Sequence, residues 1–233
     1  MNVEPFSLPG ATVRVLPDQD AVAAAVVQRI LVAADEAVAA RGCFRICLAG
    51  GGTPLKAYRQ IAGRAADWSR WQVYHGDERC LPPDDPERNS VAARQAWLSA
   101  VPVPPGQIFD IPSERGAEAA ADAYEPLVAG ALPFDLVLLG MGEDGHTASL
   151  FPGRPIASER LVLPVHDAPK PPPDRVSLSP RALSECRALL IVVTGKAKAE
   201  ALGRWRDGEA LPVARVAAGA PSEVLLDRSA LPG

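Results

Sequence analysis

Three apolar runs most constrain what this chain can fold into: CFRICLA from Cys43 to Ala49, FDLVLLG from Phe134 to Gly140, and LLIVV from Leu189 to Val193. Each is nearly continuous rather than alternating, which marks a strand buried on both faces. A sheet of such strands needs helices above and below it. The segments between them supply those helices. Asp18 stands at an N-cap ahead of an alanine-rich run to Arg41, with Val22, Val26, Ile30, Ala34 and Val38 on one stripe, and Gly42 sits where a left-handed C-cap is common.

Further helices are expected after Gly50-Gly51-Gly52-Thr53-Pro54, with Thr53 as cap and Pro54 in the first turn, over Ser90 to Ala100, over Ala117 to Ala129, and after Thr194-Gly195, where Lys196 and Lys198 lie. Thr12 to Leu16, Trp71 to His75, Ile108 to Ile111, Arg160 to Val165 and Arg175 to Ser179 read as strands, and Pro221 to Asp227 is the last ordered stretch. Strands alternating with helices predict an α/β fold, a mainly parallel sheet with helices on both faces, formed as a single domain over residues 1–233.

Composition narrows the function classes. At 233 residues, 48% hydrophobic and 22% charged, the chain is an ordinary globular sequence with enough length for a sizeable core. A net charge of −4 argues against nucleic acid as the main partner, since that would need a basic face. The N-terminal MNVEPFSLPG has no basic stretch followed by an apolar run, and no apolar stretch is long enough to cross a membrane, so the cytoplasm is expected. Cys43, Cys47, Cys80 and Cys186 form no CxxC pair, which suggests reduced core residues rather than a zinc site or a disulfide framework.

The glycine triplet at Gly50 to Gly52 leaves backbone N–H groups uncovered at a helix start. Unpaired donors and the helix dipole make such a place an anion site, with phosphate the obvious guest; a tight turn needing positive φ is the competing explanation. No Gly-Lys-Ser/Thr ending follows, so a nucleoside triphosphate is not indicated. Gly76-Asp77-Glu78-Arg79 bunches charge at a strand end, either the ligand-binding rim of an α/β sheet or a solvated cluster.

Gly140-Met141-Gly142-Glu143-Asp144-Gly145 is a GxGxxG after a strand, with Asp167 at the end of a later strand, as a dinucleotide fold would have it. Pro152, Gly153 and Pro155 then leave no room for the full crossover helix that fingerprint needs, so a dinucleotide cofactor is rejected. What remains is His146, exposed by a turn at a strand end with two carboxylates just before it. An imidazole with an ordinary pKa of about 6.5 can accept a proton at neutral pH, and Asp144 or Glu143 can orient it. The alternative is a histidine merely hydrogen-bonded in a turn, which also serves for His75 and His166.

Taken in order, LAGGGTPLKAY, YHGDERCLPPDDPERNS, FDLVLLGMGEDGHTASLFPG, RVSLS and VVTGKAKAEAL resemble the successive motifs of the bacterial 6-phosphogluconolactonases over most of Leu48 to Leu202. The resemblance implies a fold similar to the glucosamine-6-phosphate deaminase and ribose-5-phosphate isomerase group. It also implies hydrolysis of 6-phospho-D-glucono-1,5-lactone to 6-phospho-D-gluconate in the pentose phosphate pathway, with no metal or organic cofactor. The implied partner is the small sugar-phosphate lactone, acted on by a monomer or weak homo-oligomer.

By the same resemblance the base is His146, the phosphate loop is Gly51, Gly52 and Thr53, the strand-end arginine is Arg79, and the lysine of the G-x-x-K motif is Lys198. Asp77 and Asn89 are expected in the same pocket. The family often has Ser-Asn where this chain has Arg88-Asn89, which leaves the role of Arg88 open, and Lys196 falls outside the motif. Lactone opening is acyl transfer to water and needs a base, a receptor for the oxyanion and a fixed substrate. One histidine, one arginine and a phosphate anchor meet that list. The deaminases resemble the chain too, but they have Asp-Glu-Tyr at Asp77-Glu78-Arg79 and an acid where Phe151 stands. A sugar-phosphate-binding module without activity is a third possibility, against which the intact histidine motif speaks.

Overall fold

The computed structural model describes residues 6–154 and 159–233; Pro155 and the first five residues of the N-terminal stretch lie outside them. The chain opens with β1 (Thr12–Leu16), α1 (Gln19–Arg41), β2 (Phe44–Leu48), α2 (Gly52–Ile61) and β3 (Trp71–His75). Next come β4 (Asp77–Arg79), α3 (Asn89–Ala93), β5 (Ile108–Phe109), α4 (Ala117–Ala131) and β6 (Leu136–Gly140). The remainder is β7 (Val162–Val165), β8 (Arg175–Leu178), α5 (Pro180–Ser184), β9 (Leu189–Val193), α6 (Ala199–Arg206), α7 (Pro212–Ala218) and β10 (Ser222–Asp227).

Seven strands form one sheet in the order β1-β10-β9-β6-β2-β3-β5, and every neighbouring pair is parallel. The apolar runs occupy its centre, as strands without alternation must. Successive residues feed opposite layers: Ile46, Leu138 and Val192 pack with α1, α2 and α3, whereas Cys47, Leu139 and Ile191 pack with α4, α5, α6 and α7. The α1 helix is bounded as its sequence requires, with Asp18 accepting from the Ala21 N–H at 2.9 Å and Gly42 left-handed at φ 74°.

Chain order and strand order together create the crevice. From β2 the chain winds outward through β3 to β5, and after α4 it returns to β6 beside β2 and winds the other way through β9 to β10. The connections leaving β2 and β6 therefore diverge at neighbouring strand ends, and such a switch point opens a cleft at the carboxyl edge of the sheet.

The structure departs from the sequence expectations in several places. Asp77 to Arg79, expected only as a charge cluster at the end of β3, is itself a strand, β4, in a second, antiparallel sheet of order β4-β8-β7. Thr53 does not cap α2, because Gly51 holds the N-cap position and the Thr53 hydroxyl is bonded elsewhere. The helix expected over Ser90 to Ala100 is α3 followed by a π-helical turn at Arg94–Leu98. Helices α5 and α7 were not anticipated. Among the described residues no helix is long and apolar enough to cross a membrane.

Candidate active site

A cavity of about 480 Å³ opens at the carboxyl edge, walled by the segments that follow β2, β3, β6 and β9 and by the hairpin between β7 and β8. The β2 wall is the glycine triplet. Gly51 has φ 102°, a conformation that favours glycine, and at Gly50 an added Cβ would lie 2.1 Å from Asn89 Oδ1. The triplet thus lets a buried asparagine reach the loop and leaves the first N–H groups of α2, on residues that line the cavity, without intrahelical acceptors. Thr53 Oγ1 accepts from Gln19 Nε2 at 2.9 Å and lies 2.6 Å from Thr194 Oγ1, which ties the triplet to the β9 end.

At the β3 end, Asp77 is buried and held by Ser149 Oγ at 2.7 Å and Asn89 Nδ2 at 3.1 Å. Burial pushes its carboxyl above the usual carboxylate value, against the opposing pull of Ser149 and of the Arg79 and Arg175 charges. Glu78 turns away from the cavity. It is fully buried and accepts the backbone N–H groups of Asn89 and Ser90, so it satisfies the start of α3. Arg79 lines the cavity, donates from Nη1 to Glu87 O, and buries an Nε with no partner.

Arg88 does not join this wall. Its guanidinium is 3% exposed and donates to Ile111 O at 2.8 Å and to Glu114 at 3.1 Å, so the side chain is a buried strut behind α3. The structure therefore separates Arg88 from Asp77 and Asn89, which do line the cavity.

The β6 turn carries the histidine. Gly142 N donates to His146 O at 2.7 Å, closing a tight loop in which Gly145 has φ 86°. Asp144 Oδ1 accepts from His146 Nδ1 at 2.5 Å and from the His146 backbone N–H at 3.1 Å. The expected alternative, Glu143, makes no such bond with the ring. Burial alone would raise the Asp144 carboxyl, but the His146 bonds and charge outweigh it and hold it below the usual carboxylate range. An ionised carboxylate only accepts, so Nδ1 bears a proton, and in the neutral ring the lone pair is then on Nε2. Phe151 packs 5.0 Å from the imidazole, where the deaminase pattern would have its acid. Among the described residues no crossover helix follows Gly145; Thr147 and Leu150 close a short turn instead, in which Ala148 takes a left-handed φ of 48°.

At the β9 end, Lys198 lines the cavity while Lys196 is exposed outside it. Burial lowers the Lys198 ammonium below its ordinary value, against the pull of Glu143 and Asp144 and with a further push from Lys170. Lys170, Arg175, Gln19 and Thr194 are wall residues that the sequence did not single out. Arg175 is hidden because its strand alternation alone accounts for it, although an arginine entering a short buried strand is itself a signal. The other two histidines are structural: His75 pairs with Asp110 at 3.1 Å, and His166 lies between Asp174 and Glu118 on the surface.

A 6-phosphogluconolactonase of Mycobacterium tuberculosis is 40% identical over 240 residues, covering 94% of this chain and 97% of its own. The crystal structure of 6-phosphogluconolactonase from Thermotoga maritima superposes with a TM-score of 0.87 at 27% identity, over 94% of this chain and all (100%) of the other. A monomeric glucosamine-6-phosphate deaminase, 22% identical, shares the fold with a TM-score of 0.83 over 94% of this chain and 98% of its own. The family model described as glucosamine-6-phosphate isomerases/6-phosphogluconolactonase matches residues 17–225, and the chain belongs to that family.

Proposed function

We propose that this protein is a 6-phosphogluconolactonase, hydrolysing 6-phospho-D-glucono-1,5-lactone to 6-phospho-D-gluconate in the oxidative pentose phosphate pathway, with His146 as the general base. The observation that carries the reading is the Asp144–His146 pair, which fixes an imidazole on the wall of a cavity also lined by the N-terminus of α2 and by Lys198, a lysine without a salt bridge among the described residues. In this mechanism Nε2 takes a proton from water, the hydroxide oxygen attacks the lactone carbonyl carbon, and Arg79 or turn N–H groups receive the oxyanion. Collapse breaks the bond to the ring oxygen, which leaves as an alkoxide and takes the proton back from His146. The Gly51, Gly52 and Thr53 amides and Lys198 hold the phosphate, so that remote binding fixes the ring against the base.

Phe151 against the imidazole favours this over deamination, since an apolar ring cannot assist the histidine as a carboxylate would. The cytoplasm is the proposed compartment, in keeping with four free cysteines. The test is acid release from freshly prepared phosphogluconolactone, which the purified protein should accelerate well beyond the spontaneous rate. His146→Ala should abolish most of that acceleration and leave substrate affinity nearly unchanged. No acceleration by the wild type, or ammonia release from glucosamine 6-phosphate instead, would refute the assignment.

A further inference from the structure

The hairpin from Asp167 to Asp174 joins β7 to β8 and lays Lys170 and Pro171 on the cavity wall. Pro169, Pro171, Pro172 and Pro173 restrict its backbone, so little conformational freedom remains to be lost when a ligand arrives. Arg175 fastens it from beneath, donating from Nη2 to Lys170 O at 2.8 Å and Pro171 O at 3.1 Å, and from Nε to Pro172 O at 3.2 Å. Its ends are clipped by the Ala168 N–H to Pro173 O at 2.9 Å, by the His166–Asp174 pair at 2.8 Å, and by Arg154 Nη1 to His166 O at 3.0 Å. The result is a rigid strap across the cavity mouth.

The strap carries one cation that its own scaffolding does not use. Arg175 spends its Nε and Nη2 donors on the strap carbonyls, whereas the Lys170 side chain is exposed and, among the described residues, has no salt-bridge partner. Lys198, likewise without a salt bridge among the described residues, lies on the wall of the same cavity, where Glu143 and Asp144 attract its charge and Lys170 repels it. Two lysines on the wall of one cavity suit a multiply charged anion. A phosphate monoester carries a charge of about −1.5 to −2 at neutral pH, which two ammonium groups match.

We propose that Lys170 is a substrate-binding residue whose ammonium, held at the cavity mouth by the proline strap, contacts the substrate phosphate opposite Lys198 and sets the preference for phosphorylated over unphosphorylated lactone. This deepens the lactonase reading and rests on it for the identity of the substrate. The strap is thus a specificity element, separate from the base and the oxyanion receptor. Lysine suits the position because a phosphate turning within the mouth needs a mobile point charge rather than a fixed fork.

The experiment compares wild type, Lys170→Met and Lys170→Arg in two measurements, steady-state hydrolysis of the phosphorylated lactone and calorimetric binding of 6-phosphogluconate and of gluconate. Lys170→Met should raise KM about tenfold and weaken 6-phosphogluconate binding by a similar factor, the scale of one charge-assisted contact, with kcat within about twofold. Lys170→Arg should recover most of the loss. The deficit should shrink below about pH 6, where the ester becomes a monoanion. Unchanged KM and unchanged affinity in Lys170→Met would overturn the proposal, as would an equal loss for gluconate, which has no phosphate. Lys170-dependent binding of 6-phosphogluconate by a wild type that does not hydrolyse the lactone would uphold the strap and refute the lactonase reading.

Discussion

His146 and Asp144 are joined twice, by the ring Nδ1 at 2.5 Å and by the backbone N–H at 3.1 Å, both to the same carboxylate oxygen. The backbone bond fixes the carboxylate relative to the turn, and the ring bond then fixes the imidazole relative to the carboxylate. Neither depends on a distant element. The imidazole is therefore positioned by three consecutive residues, and Gly142 folds the turn back over them.

Asp144→Asn should keep the shape and remove the charge. The amide oxygen can take the place of Oδ1 and accept both N–H groups, so the tautomer holds, but a neutral partner no longer stabilises the imidazolium that forms when the ring takes a proton. The expected loss is on the order of 10²-fold in kcat with KM little changed. Steady-state hydrolysis of the phosphorylated lactone measures both constants. A variant with wild-type kcat would show that the charge of the carboxylate has no part in the reaction.

Gly142→Ala tests the turn without touching a titrating group. The added Cβ would lie 2.0 Å from His146 Nδ1 and 2.7 Å from Asp144 Oδ1, too close for either to stay. The ring must swing away, and a displacement of about 1 Å is enough to cost roughly 100-fold in turnover. Circular dichroism should show the fold intact, because both displaced side chains have room to move toward solvent. Retained activity would mean that the imidazole acts from another position.

Much of this site can be read along the chain because its parts are local. The glycine triplet, the β6 turn with His146, and Lys198 each sit at the end of a strand whose apolar run is unmistakable, and a parallel sheet brings such ends to one edge. What escaped is non-local. Thr53 fits a cap by position, but its hydroxyl is claimed by Gln19 and Thr194, which are remote in sequence. Strands β7 and β8 read as strands and β4 does not, and nothing in their residues reveals that the three pair with one another and leave the main sheet. Arg88 and Arg79 look alike in sequence, and only the packing of Glu78 and Glu114 draws one into the interior. Helix α5 was legible in principle, since Ser179 caps it and Pro180 opens it, but a helix of five residues has too little periodicity to stand out.

Glu78→Gln should destabilise the protein more than its distance from the chemistry suggests. The carboxylate is fully buried, accepts backbone N–H groups from Arg79 at 2.9 Å, Asn89 at 2.7 Å and Ser90 at 2.8 Å, and lies 3.7 Å from the buried Arg88 Nε. An amide turns an NH₂ group toward one of those donors and leaves Arg88 short of a countercharge. A loss of about 3 kcal/mol is expected from breaking such a buried pair. Glu114→Gln, on the more exposed partner of Arg88, should cost less than about 1 kcal/mol. Urea denaturation of the two variants reads the difference, and equal losses would show that Glu78 holds nothing that Glu114 does not.

Asp110 gives the fold a pH dependence whose sign can be worked out. Burial alone would raise its carboxyl, but the bond from His75 at 3.1 Å, the His75 charge and the Arg94 guanidinium outweigh burial and bring it from 3.8 down to about 2. A carboxyl depressed in the folded state stabilises that state wherever the unfolded chain is ionised. The contribution is therefore complete above the unfolded value and disappears as pH falls through the folded one. The depression is equivalent to about 2 kcal/mol near neutral pH. Asp110→Asn should show that deficit in urea unfolding near neutral pH. The gap between wild type and variant should narrow below roughly pH 4 and close near the folded value. Because His75 ends β3 immediately before the Gly76-Asp77 wall, the variant should also soften the cavity, seen as faster amide exchange at Asp77 than at residues of β9. A deficit that stays constant across the acid range would assign the loss to packing at Asp110 rather than to its charge.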